Sequence, residues 1–226
     1  MPLLENNLIT LKSRINSASS QAKRALDNVS LAAVSKTRSI EEIQSVYNLG
    51  LKIFAENYVH EAEQKIAQLP EDITWHFIGP IQSNKTRLIA EHFDWVQSID
   101  RLKIIHRLNQ QRPSYNPPLQ CLVQINISHE PQKAGVTAEQ ARTLALAIKE
   151  SAHLEFRGLM CIAKANENTQ NLAQMFANMR RLFEDLQDID ARVDTLSMGM
   201  SQDMECAIKE GSTMIRIGTD LFGPRC

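Results

Sequence analysis

Lys36 stands directly after the apolar run Leu31-Ala32-Ala33-Val34-Ser35, where a buried strand would deliver it at its carboxyl end. Lysine is almost never fully buried without a partner. Desolvation at such a place lowers the amine pKa and leaves part of it neutral, a nucleophile toward an aldehyde. A lysine that snorkels outward from a strand end is the plain alternative. Two stretches far along the chain bear on the choice. Thr195-Leu196-Ser197-Met198-Gly199-Met200-Ser201 runs into a helix beginning Gln202-Asp203-Met204; its glycine permits close backbone approach, and Ser201 is read as that helix's N-cap. Met214-Ile215-Arg216-Ile217-Gly218-Thr219 likewise ends in a glycine and a hydroxyl. Helix N-termini offer unpaired N–H groups and a partial positive charge to a phosphate. Either loop alone is an ordinary turn; the pair reads as an anion cradle. Arg216 interrupts an apolar strand, and alternation turns its isoleucine neighbours the other way. A guanidinium pointing into a core needs an anion or a bidentate acceptor, which is either a ligand or a structural salt bridge.

These residues need a frame to bring them together. Short apolar or β-branched runs start near Leu31, Leu51, Ile73, Phe93, Leu119, Leu154, Val193 and Thr213, with helical periodicity between them. That rhythm is one of βα units. Ser39 and Glu42 form a capping box for a helix through Ile43, Val46 and Leu49, with Gly50 at its C′ position; Thr137 and Gln140 repeat the device before Ala141, Leu144 and Ile148. Asp100 and Ser83 are read as N-caps of the helices after them, and Pro117-Pro118 stops a helix ahead of the strand Leu119–Ile125. Leu4, Leu8, Leu11, Ile15, Ala18, Ala22 and Ala25 make the stripe of an N-terminal helix, expected over residues 1–27 and packed on the rest. Eight strands in one closed sheet give an α/β fold, a (β/α)8 TIM barrel, as one domain over residues 1–226. An open doubly wound sheet would carry a glycine-rich first turn. Here that turn is Ser35-Lys36-Thr37-Arg38-Ser39. In a barrel the carboxyl ends of the strands form the reactive face, and phosphate sites favour the loops after strands seven and eight. The amine, the cradle and the guanidinium then share one face and suit a phosphorylated carbonyl compound. Pyridoxal phosphate and a sugar phosphate both fit.

Composition removes other classes. The 226 residues are 43% hydrophobic and 23% charged with a net charge of −1, an ordinary globular balance without a basic footprint for nucleic acid or anionic lipid. Cys121, Cys161, Cys206 and Cys226 have no CxxC spacing and no nearby histidine at zinc-ligand spacing, so no metal site is expected and a reducing compartment suits them. The amino terminus lacks a basic stretch followed by an apolar run, and no segment approaches the length of a membrane span. The expectation is a soluble, cytoplasmic protein.

One family joins these residues. Trp75-His76-Phe77-Ile78-Gly79-Pro80-Ile81-Gln82-Ser83-Asn84-Lys85 resembles the signature of the pyridoxal phosphate homeostasis proteins, a YggS-like group. Ala33-Val34-Ser35-Lys36-Thr37, Glu56-Asn57-Tyr58, Ser197–Met204 and Arg216-Ile217-Gly218-Thr219 extend the resemblance over nearly the whole chain. That group is similar to the barrel domain of alanine racemase, fold type III. The resemblance implies that Lys36 carries pyridoxal 5′-phosphate as a Schiff base. It implies that Ser201, Gly218 and Thr219 hold the phosphate, that Arg216 approaches the pyridine nitrogen, and that Asn57 lies near the ring. His76 reads as a hydrogen-bonded strand histidine.

The same residues argue for a carrier rather than an enzyme. Pyridoxal phosphate chemistry at an α-carbon uses the ring as an electron sink, helped by an acid on the ring nitrogen. Arginine is always a charged donor, so the ring nitrogen stays unprotonated and the sink is weak. Racemases with this arginine add a second β domain and a tyrosine base from a partner subunit; here Cys226 follows Thr219 by seven residues, and of Tyr47, Tyr58 and Tyr115 only Tyr58 falls near a strand's carboxyl end. The expectation is intracellular buffering or delivery of pyridoxal phosphate, with apo forms of cofactor-dependent enzymes as possible recipients, no robust turnover, and a monomer. A racemase-like enzyme of low activity and a Schiff-base aldolase acting on a sugar phosphate are the rivals. Lys133, in the loop after Ile127, reads as a solvated lysine or a transient second acceptor.

Overall fold

A computed structural model of the chain, which describes residues 2–25, 28–128, 130, 134–164 and 167–224, closes eight parallel strands into one barrel in chain order. The strands are β1 Ser30–Val34, β2 Ile53–Glu56, β3 Thr74–Phe77, β4 Trp95–Ile99, β5 Leu119–Ile125, β6 Leu154–Cys161, β7 Thr195–Ser197 and β8 Met214–Ile217. The helices are α1 Pro2–Gln21, α2 Ile40–Asn48, α3 Val59–Ile66, α4 Thr86–His92, α5 Leu102–Gln111, α6 Ala138–Lys149, α7 Thr169–Leu186, α8 Met204–Lys209 and α9 Thr219–Phe222. A helix follows every strand, and β1 pairs with β8 to shut the ring. This is a single-domain TIM barrel with an added N-terminal helix. No described helix is long and apolar enough to cross a membrane.

Alternation along the strands sorts side chains into two cores. Ala33, Phe54, Val96, Ile215 and Ile217 face outward into the apolar layer beneath the helices. Ala32, Ala55 and Met214 face inward and pack with Val34, Ile53 and Ile78 in the lumen. A connected set of polar groups also occupies the lumen. Arg216 Nη1 donates to Ser197 Oγ at 2.7 Å and Nη2 to the Cys161 carbonyl at 2.7 Å. Ser197 Oγ in turn donates to Gln97 Oε1 at 2.7 Å. Gln97 Nε2 then reaches His76 Nδ1 at 2.8 Å and Met214 Sδ at 3.2 Å. Receiving that amide proton makes the His76 ring neutral, with its own proton on Nε2. Burial agrees, pushing the imidazole pKa down to about 3. His76 also stacks on Trp95 with ring centroids 5.0 Å apart.

Both expected capping boxes are present, Ser39–Glu42 on α2 and Thr137–Gln140 on α6, and Gly50 follows α2 at φ 92°. Other helix ends differ from expectation. Asp100 does not cap α5, which begins at Leu102 behind Arg101, because its carboxylate pairs with the adjacent Arg101 guanidinium instead. Ser83 opens the 3₁₀ turn Ser83–Lys85 instead of capping α4, and its carbonyl accepts the Thr86 hydroxyl. The helix expected over residues 1–27 ends at Gln21, because the chain turns away at Lys23, φ 55°. Ala25 is accordingly exposed, while Leu8, Leu11, Ile15 and Ala18 are buried where α1 packs on α8 and α9.

Candidate binding site at the barrel mouth

The turn that carries Lys36 is built from both sides. Ala32 and Val34 face the lumen, so a period of two sends Ser35 outward and Lys36 toward the mouth. Ser35 Oγ donates to Glu56 Oε1 at 2.7 Å. Glu56, the last residue of β2, is fully buried, and Lys65 of α3 reaches the same oxygen at 2.8 Å. The Lys65 ammonium also donates to the Ser35 carbonyl at 2.8 Å and to Glu61 Oε1 at 2.6 Å, which occupies all three of its protons. Glu61 Oε1 accepts the Thr37 N–H as well, at 2.5 Å. Thr37 has φ 63°, a left-handed conformation costly for a β-branched residue. Lys36 is thus held between two residues tied to one buried ion cluster. Burial raises the Glu56 pKa, and Lys65 opposes that rise. Sequence reasoning passed over this cluster. Its available signal was a glutamate closing an apolar strand, with Glu61 and Lys65 one helical turn apart.

The two loops of the expected cradle also meet. Ser201 does not cap α8, as the sequence suggested. That helix starts at Met204 behind Asp203, because residues 201–203 form a turn and the Asp203 carboxylate folds back to accept the Met200 N–H at 2.5 Å. Ser201 Oγ instead accepts the Asp220 N–H at 3.3 Å, which joins the loop after β7 to the first turn of α9. Gly218 precedes α9, and a Cβ there would stand 3.4 Å from the Val34 carbonyl, ordinary contact with β1.

Lys36, Ser201, Arg216, Gly218 and Thr219 line one cavity of about 590 Å³ at the carboxyl ends of β1, β7 and β8. That is the size of a small-molecule site. Lys164 adds a further cation to the wall, and Glu167, Asp203 and Asp220 supply carboxylates. Burial raises the Asp203 pKa and lowers that of Arg216, which stays a cation. Arg216 donates to two neutral groups, Ser197 and the Cys161 carbonyl, and among the described residues no salt bridge of the kind the sequence allowed holds it. Asn57 stands at the end of β2, outside this lining, and its Oδ1 is buried without a partner. A buried acceptor in that state needs a donor from a ligand or water. Gly79 makes room for this backbone: a Cβ there would lie 2.2 Å from the Asn57 carbonyl oxygen. Ser98 Oγ fixes the same loop by donating to the Gly79 carbonyl at 2.6 Å.

A second cavity, about 640 Å³, opens at the amino-terminal ends of the strands and is lined by Trp95, Arg157 and Asp194 among others. Arg157 is committed there to Asp194, Gln120 and the Arg192 carbonyl, and its guanidinium covers Trp95. That end of a barrel serves stability. Lys133 lies outside the described residues. Among those residues no group of three or more His, Cys, Asp or Glu could hold a metal ion, and Cys121, Cys161 and Cys206 are free.

Comparison with known proteins gives a consistent result. The family described as "Alanine racemase, N-terminal domain" matches residues 7–226. A protein of Pasteurella multocida named pyridoxal phosphate homeostasis protein is 49% identical over 227 residues, covering 98% of this chain and 97% of its own length. The structure of PipY from Synechococcus elongatus with pyridoxal phosphate bound superposes with a TM-score of 0.84 at 34% identity, covering 97% of this chain and 100% of that one. An alanine racemase of Corynebacterium glutamicum is similar in fold alone, with a TM-score of 0.73 at 14% identity, covering 98% of this chain and 60% of that one.

Proposed function

This chain belongs to the alanine racemase N-terminal domain family, among the pyridoxal phosphate homeostasis proteins, and from that premise we propose that it holds pyridoxal 5′-phosphate on Lys36 and buffers or delivers it within the cytoplasm, as a monomer. The observation that carries this reading is the gathering of Lys36, Arg216, Ser201, Gly218 and Thr219 around one cavity at the strands' carboxyl ends. The buried, partnerless Oδ1 of Asn57 supports it, as an acceptor set aside at the same end of the barrel.

Lys36 would hold the group, which when bound would supply a reactive aldehyde to that side chain's amine. Ser201, Gly218 and Thr219 would hold the phosphate, with the Ser201 and Thr219 hydroxyls as donors to its oxygens. Arg216, fixed by Ser197 and the Cys161 carbonyl, would donate toward the ring nitrogen and keep it unprotonated. That choice disfavours turnover of amino acids, which needs an acid at this atom. Tyr58 is 56% exposed and absent from the cavity wall, so it is not placed as an opposing base. The cavity is open beside the exposed side chains of Ile162 and Met200, which suits capture and release of the aldehyde.

Borohydride treatment of the yellow holoprotein tests the linkage: it should fix the label on Lys36, and Lys36→Ala should abolish both label and colour. A colourless protein that ignores added pyridoxal phosphate refutes the reading. Holoprotein incubated with L- and D-amino acids should show no sustained racemisation or transamination, and should restore activity to a defined apoenzyme; sustained turnover would make it an enzyme.

A further inference from the structure

We propose that α1 is a brace for the anion cradle, with Arg14 as the positioning residue that locks the loops after β7 and β8 together. The inference rests on the cofactor reading above and deepens it. Arg14 follows the buried Leu11 by three residues on the face that packs against α8 and α9. Its planar guanidinium touches three separate groups. Nε donates to Glu205 Oε1 at 2.7 Å in the first turn of α8. Nη2 donates to the Ser201 carbonyl at 3.0 Å, and Nη1 to Asp220 Oδ2 in α9. Ser201 and Asp220 are themselves bonded, hydroxyl to N–H, at 3.3 Å. The guanidinium therefore completes a closed figure around the two loops that carry Ser201, Gly218 and Thr219. Asn7, seven residues earlier and so on the same helix face, donates to the Leu221 carbonyl of α9 at 2.9 Å.

Charge gives a second reason. Asp220 lines the cavity, and an unpaired carboxylate there would repel a phosphate. Arg14 engages that carboxylate from a different cavity, while Ser201 and Thr219 line the cradle itself. Lysine cannot do this, because one ammonium does not span three acceptors as a guanidinium fork does. Helix α1 thereby sets how tightly the cavity holds a phosphate, and loosening α1 from α8 and α9 is a route to release.

The test measures three affinities on the full chain: pyridoxal phosphate by its visible absorption, inorganic phosphate by competition, and pyridoxal, which lacks the phosphate. Arg14→Met should weaken pyridoxal phosphate and phosphate by about tenfold, the loss of one charge-assisted contact's worth of order, and leave pyridoxal unchanged. Arg14→Lys should fall nearer to Met than to the native protein. Glu205→Gln, which leaves α1 packing and the cavity wall intact, should weaken the two phosphate-bearing probes by a smaller factor and decides the matter if Arg14→Met does not fold. Unchanged phosphate affinity in the folded variants, or an equal loss for pyridoxal, overturns the proposal. Failure of the native protein to bind pyridoxal phosphate at all would instead sink the function itself, so the two failures are distinct.

Discussion

A buried ammonium whose three protons all have oxygen acceptors, as Lys65 does, is costly to remove from one side only. Lys65→Met leaves Glu56 fully buried without its cation, and the expected destabilisation is about 3–5 kcal/mol. Urea unfolding measures it, and adding Glu56→Leu should recover part of the loss; a single variant as stable as the native protein would show that the cluster does not hold the turn. Borohydride labelling of Lys36 should slow in the same variant, since Ser35 and Thr37 lose their shared anchor. At this scale the sequence was readable where a residue type disagreed with its surroundings. Lys36 ending an apolar strand and Arg216 inside one are such disagreements. Ser197, Gln97 and Arg14 were not readable as partners, because their meaning lies in contacts made across the barrel or between its ends of chain. Nothing local marks a glutamine in β4 as the acceptor of a hydroxyl from β7.

The loops between elements are as constrained as the strands. Gly79 shows the point, since a Cβ at that position would meet the Asn57 carbonyl oxygen at 2.2 Å, and backbone cannot yield as a side chain can. Gly79→Ala is expected to cost about 2–4 kcal/mol and to disturb the ligand affinity of the mouth, because the loops after β2 and β3 must separate. Thermal melting and a cofactor titration check both; an unaltered melting point would mean the loops have slack. Strand starts and the two capping boxes were legible because their signals span only a few residues. The caps assigned to Asp100, Ser83 and Ser201 failed for a shared reason. Each side chain had a competing partner or a local turn close at hand, so the helix began later or took another form. The end of α1 was misplaced because alanine is apolar enough to continue a stripe after the helix itself has turned away at Lys23.

Closure of the barrel makes some properties belong to the molecule as a whole. His76 is enclosed in the lumen, and its pKa of about 3 lies below the ordinary 6.5. Between those values the unfolded chain binds a proton that the folded barrel refuses, so stability rises with pH and is lost as pH falls from 6.5 toward 3. From pH 7 to pH 5 this one residue should remove about 2 kcal/mol, a loss absent from His76→Gln. Parallel pH–stability curves for the two proteins would contradict the assignment of a neutral, sealed ring. The barrel topology was legible from the strand rhythm, whereas the continuous polar chain from Arg216 to His76 was not, since it needs all of β3, β4, β7 and β8 in place. With that chain and the packed Ala32, Ala55 and Met214 filling the bore, traffic through the axis is blocked. On the proposed reading, pyridoxal phosphate would enter and leave on the strands' carboxyl side, and a recipient would meet the opening that a competing amine also meets. Transfer, if the proposal holds, would then be face to face, and whatever covers that opening would govern loading and loss together.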